Sequence, residues 1–461
     1  MTKKRIYLNA FDMNTPGHQS PGLWQHPNDE SHRYKDSEYW INLAKTLEKG
    51  RFDAIFIADV LGTYDVYGGS RDAAVKHGIQ APVNDPFLIV PLMSAVTNHL
   101  GFGVTSSVTH EHPYTFARKM STLDHLTNGR VGWNIVTSYL KSAAMNMGLD
   151  DQIKHDERYD IADEYLEVCY KLWEASWEDD AVKVDKENGI YTDPAKVHNI
   201  NHKGKYFKVP GAHLSEPSPQ RTPVLYQAGA STKGRAFAAK NAELIFIGAP
   251  NVSLAKKTVT KLRAEVKNAG RKQEEVKIIS MLIPIVGRTE AEAQAKFKDY
   301  QQYISSEGAL ALFGGWTGVD LSGYTKDQEV RYIENDAIRS SLENFTNIHD
   351  DRPSTVEDVM QAIGIGGMGN AVIGTPEQVA DEMEKWVDEA GVDGFNIAYA
   401  ITPGTFEDFV NDVVPVLQER GRIPKAYEGE TLRDNLYAKG AYLPKHHPAK
   451  KVKHREGSPI S

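Results

Sequence analysis

The chain has 461 residues, 40% of them hydrophobic and 25% charged, which is enough apolar material for a large buried core. A formal net charge of −9 excludes a general affinity for nucleic acid or anionic membrane, and no window approaches the roughly 18 apolar residues of a membrane span. The one cysteine, Cys169, has no partner for a disulfide or a thiolate metal cluster and falls on an apolar helical stripe, a core position.

Met1-Thr-Lys-Lys-Arg5 leads into a strand-like run rather than a secretory apolar segment, so a cytoplasmic location is expected. From there the pattern alternates. Eight short runs rich in β-branched or aromatic residues follow one another: Arg5–Phe11, Asp53–Asp59, Gly101–Thr109, Arg130–Ser138, Thr222–Gly229, Glu243–Gly248, Lys277–Gly287 and Gly394–Ile401. Each precedes a helical pattern, directly or after an insertion. Such alternation implies parallel strands joined by crossovers, and eight units imply an α/β fold closed into a single (β/α)8 TIM barrel.

The helix signals come in the same order. Asp85-Pro86 opens a helix predicted over Phe87–Leu100, and the pattern over Glu157–Trp177 places Tyr159, Ala162, Leu166, Cys169, Trp173 and Trp177 on one stripe. Thr289-Glu-Ala-Glu292 and Thr375-Pro-Glu-Gln378 have the form of capping boxes. Two stretches interrupt the alternation. The polar run at about 178–221, after strand four, is expected to hold a small hairpin; the longer one at about 305–372, after strand seven, is a candidate lid, because such insertions lie over the catalytic face. One barrel domain over 1–420 then carries both insertions, and 421–461, rich in Lys, Pro and His, is an extended C-terminal tail expected to run along a neighbouring subunit.

A barrel of this kind builds its site from the C-terminal strand ends. That rule selects Phe11, Asp12, Asp59, Ser106 to Thr109, Asn134 to Tyr139, Gln227 to Ser231, Gly248 and Tyr399. The set offers amides, hydroxyls and aromatic rings but few titratable groups, which suits a site where a bound cofactor does the hard chemistry. The segment Ala228-Gly-Ala-Ser-Thr-Lys-Gly234 is either a phosphate cradle at a helix start or an ordinary strand-to-helix turn. Gly364–Gly369 has the look of a dinucleotide loop but lacks the preceding strand and following helix, so it is read as a flexible part of the insertion. Neither His110-Glu111-His112 nor His198 and His202 completes a metal-ligand set.

Several long segments carry a specific resemblance: Asn9-Ala-Phe-Asp-Met13, Phe52-Asp-Ala-Ile-Phe-Ile-Ala-Asp59, the run from Ser121 to Ser138, His155-Asp-Glu-Arg-Tyr159, Glu216-Pro-Ser-Pro-Gln-Arg-Thr-Pro223, Gln227-Ala-Gly229 and Asp393-Gly-Phe-Asn396. Through them the chain resembles the bacterial-luciferase-like flavin monooxygenases, in the branch containing nitrilotriacetate monooxygenase component A. The resemblance implies FMN as cofactor in its reduced form (FMNH2), O2 as co-substrate, and no metal. It implies a separate NAD(P)H-dependent flavin reductase as partner and assembly into a homodimer or homotetramer. On matching positions it puts Asp59, Ser138 and Tyr139 along the isoalloxazine, and Tyr159 with Ala228, Gly229, Ala230 and Ser231 at the phosphate. His18 and Tyr64 become candidates for positioning or proton transfer, and Phe11, Thr15, Gln80 and Leu312 for the substrate pocket. Alkane-oxidising relatives carry cysteine in place of Thr15 and histidine in place of Tyr139 and Leu312, whereas Tyr139-Leu140 and Phe313–Asp320 are most similar to dimethyl-sulfide-oxidising members. The expected reaction is oxidation of a small organosulfur compound, with long-chain alkane, amine or sulfone oxidation as the alternative. A metal-dependent barrel hydrolase or a flavin binder without turnover would be rivals of another class.

Overall fold

Strand formation follows the β-branched runs closely. The computed structural model describes residues 3–229, 231–330, 352–367 and 369–452. Nine parallel strands make one sheet: β1 (Tyr7–Met13), β2 (Ala54–Ala58), β3 (Gly101–Ser107), β4 (Val131–Val136), β5 (Val224–Ala228), β6 (Leu244–Ile247), β7 (Lys277–Val286), β8 (Asn370–Gly374) and β9 (Gly394–Ile397). Neighbours run β6-β5-β4-β3-β2-β1-β9-β7, and the pairing of β6 with β7, Leu244 opposite Lys277, closes the ring into an eight-stranded barrel. β8 stands outside that ring. The ten-residue β7 outlasts its four-residue neighbour β9, which pairs with Ile279–Leu282; the upper half, Leu282 to Val286, is left to pair with β8.

The principal barrel helices are α1 (Ser37–Lys49), α2 (Pro113–Leu126), α3 (His155–Tyr170), α4 (Thr232–Asn241), α5 (Val252–Asn268) and α6 (Glu290–Gln301). α7 (Ser306–Thr317) and α8 (Val356–Gly364) follow in the second insertion, then α9 (Pro376–Lys385) and a helical run over 404–419. Strand alternation sorts the core. Ile6, just before β1, and Leu8 and Ala10 within it face outward and join the α1 residues Trp40, Leu43 and Leu47, while Tyr7 and Phe11 point into the barrel with Phe56, Tyr226 and Phe246. Cys169 is fully buried on α3.

Three expectations need correction. The helix predicted over Phe87–Leu100 is a 3-10 turn (Pro86–Leu88) and one short helix (Val90–Ser94): Asp85 does cap the start, but Pro91 removes a backbone donor from any longer helix. The excursion at 178–221 holds two small hairpins, Val182–Asp185 with Ile190–Thr192 and His202–Lys203 with Lys208–Val209. Gly364 is the last residue of α8 rather than part of a loop, and Gly366 donates its N–H to Ser20 Oγ, 3.1 Å away, at the mouth of the barrel; Met368 lies outside the described residues.

The described part of the C-terminal extension, residues 421–452, folds back under its own barrel and is not an extended tail. A short helix, α10 (Leu432–Tyr437), sets Leu432 and Leu436 against Ala54, Val224, Leu244 and Ile279 at the N-terminal end of the strands. Beside them Arg433 and Glu243, each 2% exposed, form a two-pronged ion pair at 2.7 and 2.9 Å.

Candidate active site

At the opposite end, the C-terminal mouth, the sequence-selected residues form two groups. The first gathers around His18. Its ring meets the Phe11 ring edge-on at 4.5 Å, and its backbone carbonyl accepts from Gln80 Nε2 at 3.3 Å. Gln80 Oε1 accepts in turn from the Tyr64 hydroxyl at 2.8 Å, and Tyr64 lies 2.8 Å from the Tyr139 hydroxyl. Leu312 packs into the apolar cluster that holds Tyr64 and Tyr139, and the Thr15 hydroxyl donates to the Pro82 carbonyl at 2.7 Å. Thr15, His18, Tyr64, Gln80 and Leu312 are all at most 5% exposed. This is a closed wall of phenols, methyls and one imidazole. Gln80 holds it in a left-handed conformation, φ 47°, a strain that the surrounding bonds must offset.

Burial lowers the His18 pKa to about 3, so the ring is neutral at any physiological pH. The amide nitrogen of Gln19 faces Nε2 at 3.1 Å, which puts the proton on Nδ1; that atom is buried and has no hydrogen-bond partner. The ring can therefore donate one hydrogen bond to a bound molecule, but it is a poor acid.

The second group surrounds the start of α4. Ser231 caps the helix, its Oγ accepting from the Gly234 amide at 3.0 Å. A Cβ on Gly229 would fall 2.7 Å from the Gly234 carbonyl oxygen, and one on Gly234 would fall 2.7 Å from the Tyr159 hydroxyl. The turn thus tolerates no side chain at Gly229, and one at Gly234 would displace the Tyr159 and Ser231 hydroxyls. The Tyr159 phenol sits among Ser231, Thr137 and Gln227. Ala228 ends β5, and Ala230 lies outside the described residues. Free N–H groups of a helix start and two hydroxyls make a donor set fitted to a phosphate.

Between the groups lie Asp59 and Ser138. Ser138 takes φ 58° and donates from its Oγ to Ser107 Oγ at 2.8 Å. Burial, and then the nearby Asp85, raise the Asp59 pKa to about 7 against the pull of the Val60 amide; neither group reaches it through a side-chain hydrogen bond. On the inward face of β4, Asn134 donates to Thr105 Oγ1 at 3.0 Å and keeps a buried Oδ1 with no partner. A heterocycle with its own N–H and carbonyl groups fits this mixture of leftover donors and acceptors, so phosphate and ring parts of a flavin nucleotide both find matching chemistry.

Of the histidines weighed for metal, three are engaged in other contacts, while both ring nitrogens of His110 are buried without a hydrogen-bond partner. His112 caps α2, His198 meets Glu178 and His202 meets Glu164. Sequence reasoning did not single out Gln19 or Trp316. The signal for Trp316 was the pair Gly314-Gly315 before it on an apolar helix, a place made for close approach.

Comparison with known proteins bears on the family and the fold. Residues 11–394 match the family described as luciferase-like monooxygenase. A dimethyl-sulfide monooxygenase from Hyphomicrobium sulfonivorans is 54% identical over 94% of this chain and 90% of its own length. A crystal structure of DmoA from that organism superposes with a TM-score of 0.91, covering 97% of this chain and 96% of that one. A long-chain alkane monooxygenase from Geobacillus thermodenitrificans is 52% identical over 97% of this chain and 98% of its own. A riboflavin lyase solved with modified FMN and riboflavin gives a TM-score of 0.92 at 35% identity, covering 98% of this chain and 100% of that one. The chain belongs to the luciferase-like monooxygenase family and is a flavin-dependent monooxygenase.

Proposed function

We propose that the chain is the oxygenase half of a two-component system that oxidises a small organosulfur compound, dimethyl sulfide to methanethiol and formaldehyde. The observation that carries this is the closed wall of Thr15, His18, Tyr64, Gln80 and Leu312, buried to within 5% and tied across by the Tyr64–Tyr139 contact. A small apolar sulfide matches such a wall; a long alkane needs a channel through it. The 54% identity with a dimethyl-sulfide monooxygenase supports the same choice.

In this reading Asp59, Ser138 and Tyr139 border the flavin ring, while Tyr159 and the Ala228–Ser231 turn hold its phosphate. Reduced FMN, when bound, supplies two electrons and activates dioxygen. The protein's own side chains orient the substrate and keep water out. Phe11, Thr15, Gln80 and Leu312 shape the pocket, and His18 offers its Nδ1–H to the reacting molecule. Oxygen enters at the carbon beside sulfur, and the hydroxymethyl sulfide falls apart. Overall, dimethyl sulfide, O2 and FMNH2 give methanethiol, formaldehyde, water and FMN. The family resemblance extends the proposal to an NAD(P)H-dependent flavin reductase as donor, a cytoplasmic setting, and a homodimer or homotetramer.

The test is a panel of sulfides, sulfones, amines and alkanes assayed with a generic flavin reductase. Methanethiol and formaldehyde in equal amounts from dimethyl sulfide are expected. The second reading, long-alkane oxidation, rests on the relative at 52% identity, and terminal alcohols from alkanes with no turnover of sulfides would establish it instead.

A further inference from the structure

The one proton of the Tyr64 phenol is committed. Gln80 turns its amide nitrogen to the His18 carbonyl, so its oxygen faces Tyr64 and accepts that residue's only proton. Tyr139, 2.8 Å away, must then be the donor in the contact between the two phenols. The Tyr64 hydroxyl thus gives one bond, to Gln80, and receives one, from Tyr139. Trp316 packs in the same buried apolar cluster as Tyr64. Below the hydroxyl, the Tyr64 ring lies on Gly315, where a Cβ would come within 2.3 Å of its Cγ. These contacts join four separate segments: the loop after β2, the end of β4, the His18 loop and α7. From Gly308 to Thr317, α7 is buried on every side, with Val356, Val359, Met360 and Ile363 of α8 in the same cluster.

Resting on the flavin-monooxygenase reading, we propose that Tyr64 is a positioning residue, a latch that with Trp316 and Tyr139 holds α7 closed over the mouth and so keeps oxygen transfer coupled to substrate. A hydroxyl whose only proton is held by a buried acceptor is poorly placed to shuttle it, because each transfer would first break that bond. What it controls is water. In the coupled reaction one oxygen atom enters the substrate and the other leaves as water, with two electrons from reduced FMN. In the uncoupled reaction the same two electrons and two protons leave with both oxygen atoms as hydrogen peroxide.

The experiment compares wild type with Trp316→Phe and Tyr64→Phe, using dimethyl sulfide or whichever panel compound gives product. Two quantities are read: the share of consumed O2 appearing as peroxide, and deuterium exchange over residues 306–317. Both variants are expected to raise the peroxide share at least threefold and to speed exchange in α7 about tenfold. If either fails to fold, Tyr139→Phe removes a single donated bond and is expected to shift both readings in the same direction. An unchanged peroxide share in the folded variants overturns the latch, as does lost turnover in Tyr64→Phe with a silent Trp316→Phe, the mark of a proton-transfer role. A wild-type protein that consumes no oxygen with reduced FMN overturns the functional reading and this proposal with it.

Discussion

Asp12, at the end of β1, carries its carboxyl between the sheet and α1, beside the phenols of Tyr39 and Tyr399 and facing Asp29. Among the described residues no Lys or Arg pairs with it, and burial raises its pKa to about 7 against the pull of the Met13 amide and the two phenols. The folded chain therefore keeps a proton that the unfolded chain loses near pH 4. Between about pH 4 and 7 the folded state binds more protons, so this group's contribution to stability declines as pH rises through that window. Asp12→Asn keeps the acceptor for the Met13 amide and removes the titration. Its stability should differ little from wild type near pH 4 and exceed it by about 2–4 kcal/mol at pH 8, measured by denaturant unfolding across that range; a pH-independent difference would contradict the assignment. The same residue shows why a strand-end rule was too coarse. It selected both Phe11 and Asp12, but period-2 alternation sends Phe11 into the barrel and Asp12 out toward Tyr39. That parity was legible in Arg5–Phe11. The crossing of Trp316 over the mouth was not, since it depends on where a long insertion lands.

Among the elements, those with chemical start signals were the readable ones. Thr375 and Gln378 form the full reciprocal cap, each side chain bonding the other's backbone N–H. Thr289 caps α6 through the Glu292 amide, although the Glu292 carboxylate reaches the N–H of Arg288. Replacing Thr375 by Ala should cost about 1 kcal/mol, seen as a lower denaturation midpoint with an unchanged slope. Where elements were misread, the competing force is identifiable. Pro91 shortened one helix, and β8 escaped notice because five residues, Asn370 to Gly374, carry too little pattern to stand apart from the glycines before them. Its existence follows from the unused upper half of β7, a tertiary fact. The phosphate turn was ambiguous by spacing alone; only the Ser231 cap and the Tyr159 hydroxyl, brought from another helix, separate it from an ordinary turn.

Across the molecule, the two ends of the barrel divide the work. The mouth keeps leftover donors and acceptors, while the foot is sealed by Leu432, Leu436 and the Arg433–Glu243 pair. Arg433→Leu would strand a carboxylate in the dark of the core, and unfolding by denaturant should show a loss of about 3–5 kcal/mol; adding Glu243→Leu should restore most of it. The stopper has a further consequence, in time rather than space. Residues 432–437 leave the ribosome after every strand they cork, so a nascent chain holding all eight staves still exposes Val224, Leu244 and Ile279 to solvent at its base. Synthesis halted after residue 420 would release a cask without its bung, greasy at one end and carrying an orphan charge, which makes the interval before residues 432–437 emerge the moment of greatest exposure to misassembly.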